Sequence, residues 1–163
     1  MDSLSIDRSR GLTRRRALGL AVTALVMPTV PAFAEASAIL VHKDPNCGCC
    51  AGWVQHLKDA GFTVTVQETA QLQAIRKRLG VPGDLAACHT AEVAGYVIEG
   101  HVPASAIREL LATRPVAVGL AVPGMPVGSP GMEGGTPQKY DVVIFGISGR
   151  WTFMQFVGTK ATT

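Results

Sequence analysis

The run Asn46-Cys47-Gly48-Cys49-Cys50 restricts the fold more than any other stretch, because it sits between a short apolar segment, Ile39-Leu40-Val41, and an amphipathic segment that begins near Ala51. Three of the four cysteines fall in this run, and the fourth, Cys88, stands alone further along. Thiols crowded where a strand hands over to a helix make a metal site, a redox site or both. The frame around them therefore has to be one that can fold Cys88 back onto that junction.

A chain of 163 residues has room for one ordinary domain. Its formal net charge of +3 comes entirely from residues 1–34, where Arg8, Arg10, Arg14, Arg15 and Arg16 outnumber Asp2 and Asp7. From Glu35 onward ten basic residues meet ten acidic ones, and no basic run remains to neutralise phosphates, which argues against a nucleic-acid partner. Residues 1–34 read as a cleaved export signal: a basic stretch ending at Arg16, an apolar stretch from Ala17 to Met27, and Ala32-Phe33-Ala34 as a small-residue cleavage site. The apolar part is too short to span a bilayer, and Pro28 and Pro31 argue against an amphipathic first helix. Thr13-Arg14-Arg15-Arg16-Ala17-Leu18 resembles a twin-arginine signal, with an arginine-rich Sec leader as the alternative. The expectation is an exported, periplasmic protein with no membrane span after cleavage, and a single domain over 35–163. In an oxidising compartment its thiols either pair or are protected by a metal.

Along the domain, Ala38–Val41 reads as a buried strand ended by His42-Lys43-Asp44-Pro45. Asn46 stands where a helix N-cap would, which puts the three cysteines in a first turn whose free N–H groups favour thiolate. Trp53, Val54, Leu57 and Ala60 line one face of that helix, and Gly61 ends it. Phe62–Val66 alternates as a half-buried strand; Thr69 can cap a second helix with Leu72, Ile75 and Leu79 inside and Arg76, Lys77 and Arg78 as a solvated stripe. A connection delivers Cys88-His89-Thr90, Gly95–Glu99 reads as a strand, and Pro103 opens a third helix with Ile107, Leu110 and Leu111 on one face. Residues 119–139 are so rich in glycine and proline that no regular structure is expected, and they carry Met125 and Met132. Tyr140–Ile147, a turn at Ser148-Gly149 and Trp151–Val157 read as a closing hairpin. The predicted class is α/β, a mixed sheet flanked by helices with a Gly/Pro/Met-rich loop and a C-terminal β-hairpin.

Cys47 and Cys50 form a Cys-x-x-Cys pair placed as in thioredoxin-like redox motifs, but Cys49 beside them would reshuffle any disulfide they formed. If Cys88 converges, four sulfurs make a soft set that selects Cu(I), Zn(II) or iron–sulfur clusters, and the crowding of Cys49 against Cys50 suits Cu(I). Two ordinary disulfides, for example Cys47–Cys50 and Cys49–Cys88, are the alternative, and oxidised and copper-loaded forms could be two states of one site. Further candidate ligands are His89, His42 and His101, the latter two at strand ends, and the thioethers of Met125 and Met132. His56 reads as a solvated residue of the first helix, and Met154 as core.

Cys47-Gly48-Cys49-Cys50, Trp53, His56-Leu57, Gly80-Val81-Pro82, Cys88-His89-Thr90-Ala91, Gly95 to Ala104, Gly119 to Pro126 and Gly128 to Glu133 together resemble an uncharacterised-domain family of small exported metal-binding proteins. Its best-described members are the CopG-type tetracysteine copper-resistance proteins. The resemblance spans about residues 38–158 and implies a thioredoxin-like fold, a periplasmic location and copper bound by Cys47, Cys49, Cys50 and Cys88. The expected function is copper tolerance or delivery through a Cu(I) site, with a thiol or copper oxidoreductase as the alternative. Implied partners are copper ions and other periplasmic copper-handling or redox proteins.

Overall fold

The computed structural model describes residues 38–162, so the expected export signal lies outside the described residues. β1 (Ile39–Lys43) leads through α1 (Gly48–Asp59) to β2 (Val64–Glu68), then to α2 (Leu72–Leu79) and a 3-10 turn at Gly83–Leu85. β3 (His89–Val93) and β4 (Tyr96–Glu99) form a hairpin, α3 (Ala104–Thr113) follows, and β5 (Gly119–Ala121), β6 (Lys139–Gly146), β7 (Gly149–Val157) and β8 (Lys160–Thr162) complete the chain. All eight strands join one mixed sheet in the order β2-β1-β3-β4-β5-β6-β7-β8, with β1/β2 and β4/β5 parallel and the other pairs antiparallel. This is the expected α/β architecture of a mixed sheet flanked by helices.

Strand alternation divides the sheet into two unlike faces. On the front, Ile39, Val41, Ala91, Val93, Ile98, Leu120 and Ile144 pack with Trp53, Val54 and Leu57 of α1 and with Ala106, Ile107 and Leu110 of α3. On the back, Val97, Ala121 and Phe145 pack with Val81, Leu85 and Leu79 near α2. Full burial of a side chain such as Leu57 or Ile107 stabilises by about 1.5–3 kcal/mol, which anchors α1 and α3. None of α2's residues is fully buried, so this helix needs another hold. It comes from Arg76, whose Nε donates to the fully buried Glu99 carboxylate at 2.8 Å. The basic triplet is thus not wholly a solvated stripe: Arg78 and Lys77 are exposed, while Arg76 turns inward.

Several local expectations change for stated reasons. Asn46 is not the N-cap of α1; Cys47 is, and no side chain caps the helix. Asp44 closes the preceding turn instead, its carboxylate accepting the Asn46 N–H at 2.8 Å and its carbonyl the Cys47 N–H at 3.1 Å. β1 continues through His42 and Lys43, because both pair in register with β3. β2 begins at Val64 and is mostly exposed, since it forms the sheet edge, and the buried Phe62 precedes it. The Cys88-His89-Thr90 connection becomes β3 from His89 on. Gly119–Ala121 is a strand despite its glycine, and an added Cβ at Gly119 would stand 1.8 Å from the Val97 carbonyl, so only glycine lets the backbones approach this closely. The hairpin turn falls at Ile147-Ser148, where Gly146 pairs with Gly149, and β8 adds a final strand.

Candidate metal centre

β1, its turn and α1 bring three sulfurs to the front edge of the sheet, and the approach to β3 brings the fourth. The Sγ atoms of Cys47, Cys49, Cys50 and Cys88 all lie within 4.8 Å of one another. Cys47 and Cys50 are joined by a disulfide, while Cys49 and Cys88 are free thiols. Cys49 Sγ stands 3.5 Å from Cys47 Sγ and 3.9 Å from Cys88 Sγ, so it is the link between the helix and the loop. Cys50 is fully buried and the other three are half-buried. No side chain caps α1, so the N–H groups of its first turn are left without side-chain partners at the cysteine turn. Two sulfurs on one ion stand at most about 4.6 Å apart, given metal–sulfur bonds of about 2.3 Å. The four sulfurs therefore fit a soft ion or a small thiolate-bridged group once the Cys47–Cys50 bond is reduced.

Cys88 is also the centre of an imidazole pair. His101 Nε2 is 3.0 Å and His89 Nδ1 3.3 Å from its Sγ. Burial, followed by the charge of Cys49, pushes the Cys88 thiol up to about 12, so without a cation it keeps its proton. Burial holds His89 at about 3 and His101 below its ordinary value, and both rings are neutral at pH 7. His89 lies against Trp53, with ring centroids 4.2 Å apart, and the Trp53 Nε1–H donates to the Val102 carbonyl at 2.8 Å.

The position of Cys88 is set from the opposite face of the sheet. Glu99 Oε1 accepts the Ala87 N–H at 2.7 Å and Arg76 Nε at 2.8 Å, and its Oε2 accepts the Thr90 hydroxyl at 2.5 Å. Arg76 also donates to the Ala87 carbonyl. Both polar backbone groups of Ala87 are thereby held, Thr90 is held on the other side, and Cys88 is fixed between them. Burial raises the Glu99 carboxyl, against the pull of Thr90, Ala87 and Arg76. None of Arg76, Thr90 and Glu99 was singled out by the sequence pattern. The signal available was a glutamate ending an otherwise apolar strand, which needs a buried partner.

Above α1 runs the glycine- and proline-rich loop. A Cβ on Gly131 would stand 2.6 Å from the Cys49 carbonyl and 2.7 Å from the Trp53 nitrogen, so the loop backbone lies directly on the cysteine turn of the helix. The Pro130 carbonyl reaches His101 Nδ1 at 2.6 Å. Met132, half-buried, follows this contact, while Met125 is exposed at a positive φ of 48°. His42 is not brought to the cysteines: it lies on the back face, with Nε2 3.0 Å from Glu92 Oε1, the carboxylate oxygen that Arg78 also contacts at 3.1 Å. His56 is not solvated, because its Nε2 accepts the Ala104 N–H at 3.0 Å and ties α1 to the start of α3.

A family described as "Protein of unknown function, DUF411" matches residues 85–132, which include Cys88, both histidines and the glycine-rich loop to Met132. Two solved structures of a copper resistance protein CopG, form 2 and form 1, are similar to this chain, each at 48% identity and a TM-score of 0.71. The match covers 75% of this chain and 99% of form 2, and 76% of this chain and 100% of form 1. No curated protein matches the chain.

Proposed function

The chain belongs to the family of CopG copper resistance proteins, and from that premise we propose that it is a periplasmic copper-binding protein of copper tolerance or handling. It holds Cu(I) through the thiolates of Cys47, Cys49, Cys50 and Cys88. The observation that carries this reading is the convergence of four Sγ atoms within 4.8 Å, three from one helix turn and one from a loop that a separate ion pair holds in place. Soft thiolates prefer Cu(I) to hard ions, and binding displaces their protons. Residues 1–34 are the export signal, cut after Ala34, and 35–163 are the domain that works in the periplasm.

The test is anaerobic titration of the fully reduced protein with Cu(I), with thiols counted before and after. At least one Cu(I) per chain, with affinity falling more than about tenfold in Cys88→Ser, supports the reading. Absence of copper uptake, with four thiols locked as disulfides under mild reductant, sinks it. A second reading, thiol oxidoreductase, is favoured by one observation: the Cys47–Cys50 disulfide has the Cys49 thiol 3.5 Å from Cys47 Sγ. In that reading the reduced pair passes two electrons and two protons to a partner disulfide and is itself oxidised. Reduction of insulin disulfides by metal-free protein, lost in Cys47→Ser, distinguishes it.

A further inference from the structure

Among the described residues the most exposed large apolar side chains are Ile147, at 94%, and Val116, at 84%. They lie on neighbouring segments. The Val118 N–H donates to the Phe145 carbonyl at 2.8 Å, and a Cβ on Gly146 would stand 3.1 Å from Ala117 Cα, so the approach to β5 and the β6–β7 turn pack together. Beside them opens a cavity of about 500 Å³, with Phe145, Val118 and Pro82 in its wall and Ile147 at its edge. Phe145 and Val118 belong to the back-face cluster, so the cavity lies across the sheet from the cysteine turn. Its lining carries two charged groups, Arg150 on β7 and Asp84 in the 3-10 turn, paired with each other and both exposed. An apolar knob, an apolar hollow and one charge of each sign therefore share one surface, and contiguous apolar patches of this kind mark interaction sites.

We propose that this surface binds a second copy of the chain in a two-fold dimer, with Ile147 of each copy entering the cavity of the other. A two-fold contact joins a patch to itself, so the patch has to contain both halves of every interaction. This one does: Ile147 and Val116 project, Phe145, Val118 and Pro82 form the hollow, and Arg150 and Asp84 supply the two charges. On docking, each Arg150 faces the Asp84 of the other copy. Exposed ion pairs contribute little to affinity, so burial of Ile147 and Val116 drives association and the charges set the register. A lipid surface fits less well. Anionic headgroups select a positive rim, whereas Arg150 and Asp84 cancel, and a planar interface leaves the cavity unfilled. Pairing through the back face leaves both cysteine turns uncovered, so the inference does not rest on what those turns bind.

The test is sedimentation velocity of the purified protein at increasing concentration, up to about 100 μM. Chelator and reductant are present, so that neither metal ions nor the thiols of Cys49 and Cys88 bridge two copies. The expected result is a monomer–dimer equilibrium whose dissociation constant rises at least about tenfold in Ile147→Glu. Val116→Glu, on the other segment, gives the same reading if Ile147→Glu does not fold, and far-UV circular dichroism checks folding. Charge reversal then separates a contact between copies from the ion pair within one chain. Arg150→Glu and Asp84→Arg, each alone, set like charges against each other across the two-fold and are expected to sediment as monomers. Mixed in equal amounts they are expected to form a one-to-one heterodimer, because only the mixture places opposite charges at both contacts. Mixing repairs no ion pair within a chain, so a fold defect does not mimic this result. A monomer at every concentration overturns the proposal, including one whose exposed face binds vesicles of zwitterionic lipid. So does a dimer that Ile147→Glu and Val116→Glu leave unchanged, or a mixture of the two charge variants that stays monomeric.

Discussion

The two faces of the sheet meet at Cys88, and in the groups next to that residue they treat polar atoms in opposite ways, although His42 Nδ1, elsewhere on the back face, is also without a partner. Behind it, Glu99 is fully buried yet satisfied by Arg76, Thr90 and the Ala87 N–H. In front of it, two thiols are unpaired, His89 Nε2 has no partner, and His101 offers a lone pair to a sulfur that keeps its proton. A polar cluster that satisfies itself holds a structure together and has no capacity left for a ligand. One left with unsatisfied donors and sulfurs is costly to bury, and that cost is offset when an ion arrives. The back face is thus the support and the front face the site.

The largest expected effect comes from breaking the support. Glu99→Ala leaves Arg76, whose side chain is 11% exposed, without its carboxylate. Urea unfolding is predicted to show a loss of about 3–5 kcal/mol, most of it recovered in the Arg76→Met, Glu99→Leu double variant. Cys88 should also react faster with an alkylating agent in the single variant. A loss below about 1 kcal/mol would mean that the clamp does not hold the loop.

Next comes the lid side of the front face. Gly131 has a φ of 84° and no space for a Cβ, so Gly131→Ala is expected to cost about 1–3 kcal/mol and to weaken Cu(I) binding by lifting the loop from α1. Gly83→Ala, with nothing within 4 Å of an added Cβ, serves as the control with little change in either quantity.

These contrasts also explain what the sequence could and could not disclose. The cysteine turn, the apolar face of α1 and the final hairpin were legible because each is a local pattern with its own period or spacing. β3 was not, because His89, Thr90 and Glu92 look like loop residues until their partners on β1, β4 and α2 are known. Arg76 looks like its solvated neighbours in sequence because its partner Glu99 is 23 residues away. Gly119 looks like a breaker in sequence, whereas the Val97 carbonyl beside it requires a residue without Cβ. In each case a tertiary contact overrode a local preference.

Smaller effects follow pH. With its thiol pushed up to about 12, Cys88 in metal-free protein is expected to alkylate slowly at pH 8, its rate rising close to tenfold per unit up to about pH 11. A flat profile would show that the front face already stabilises the thiolate without a cation. His56, held below 6.5 by burial, accepts the Ala104 N–H as a neutral ring. Its contribution is fully present above pH 6.5, and it is lost as the pH falls through the folded-state value because the unfolded chain binds the proton first. The melting temperature should therefore fall less steeply below pH 6.5 in His56→Gln than in the unaltered protein. Equal slopes would remove His56 from the account.

The central claim is that the first copper ion is held by sulfur alone and that Cys88 is one of its ligands. X-ray absorption at the copper edge, on reduced protein loaded anaerobically with one equivalent of Cu(I), tests this directly. The account predicts a first shell of sulfur only, with fewer sulfurs or a light-atom replacement in Cys88→Ser. A shell dominated by nitrogen or oxygen in the unaltered protein, or one indifferent to Cys88→Ser, would contradict it.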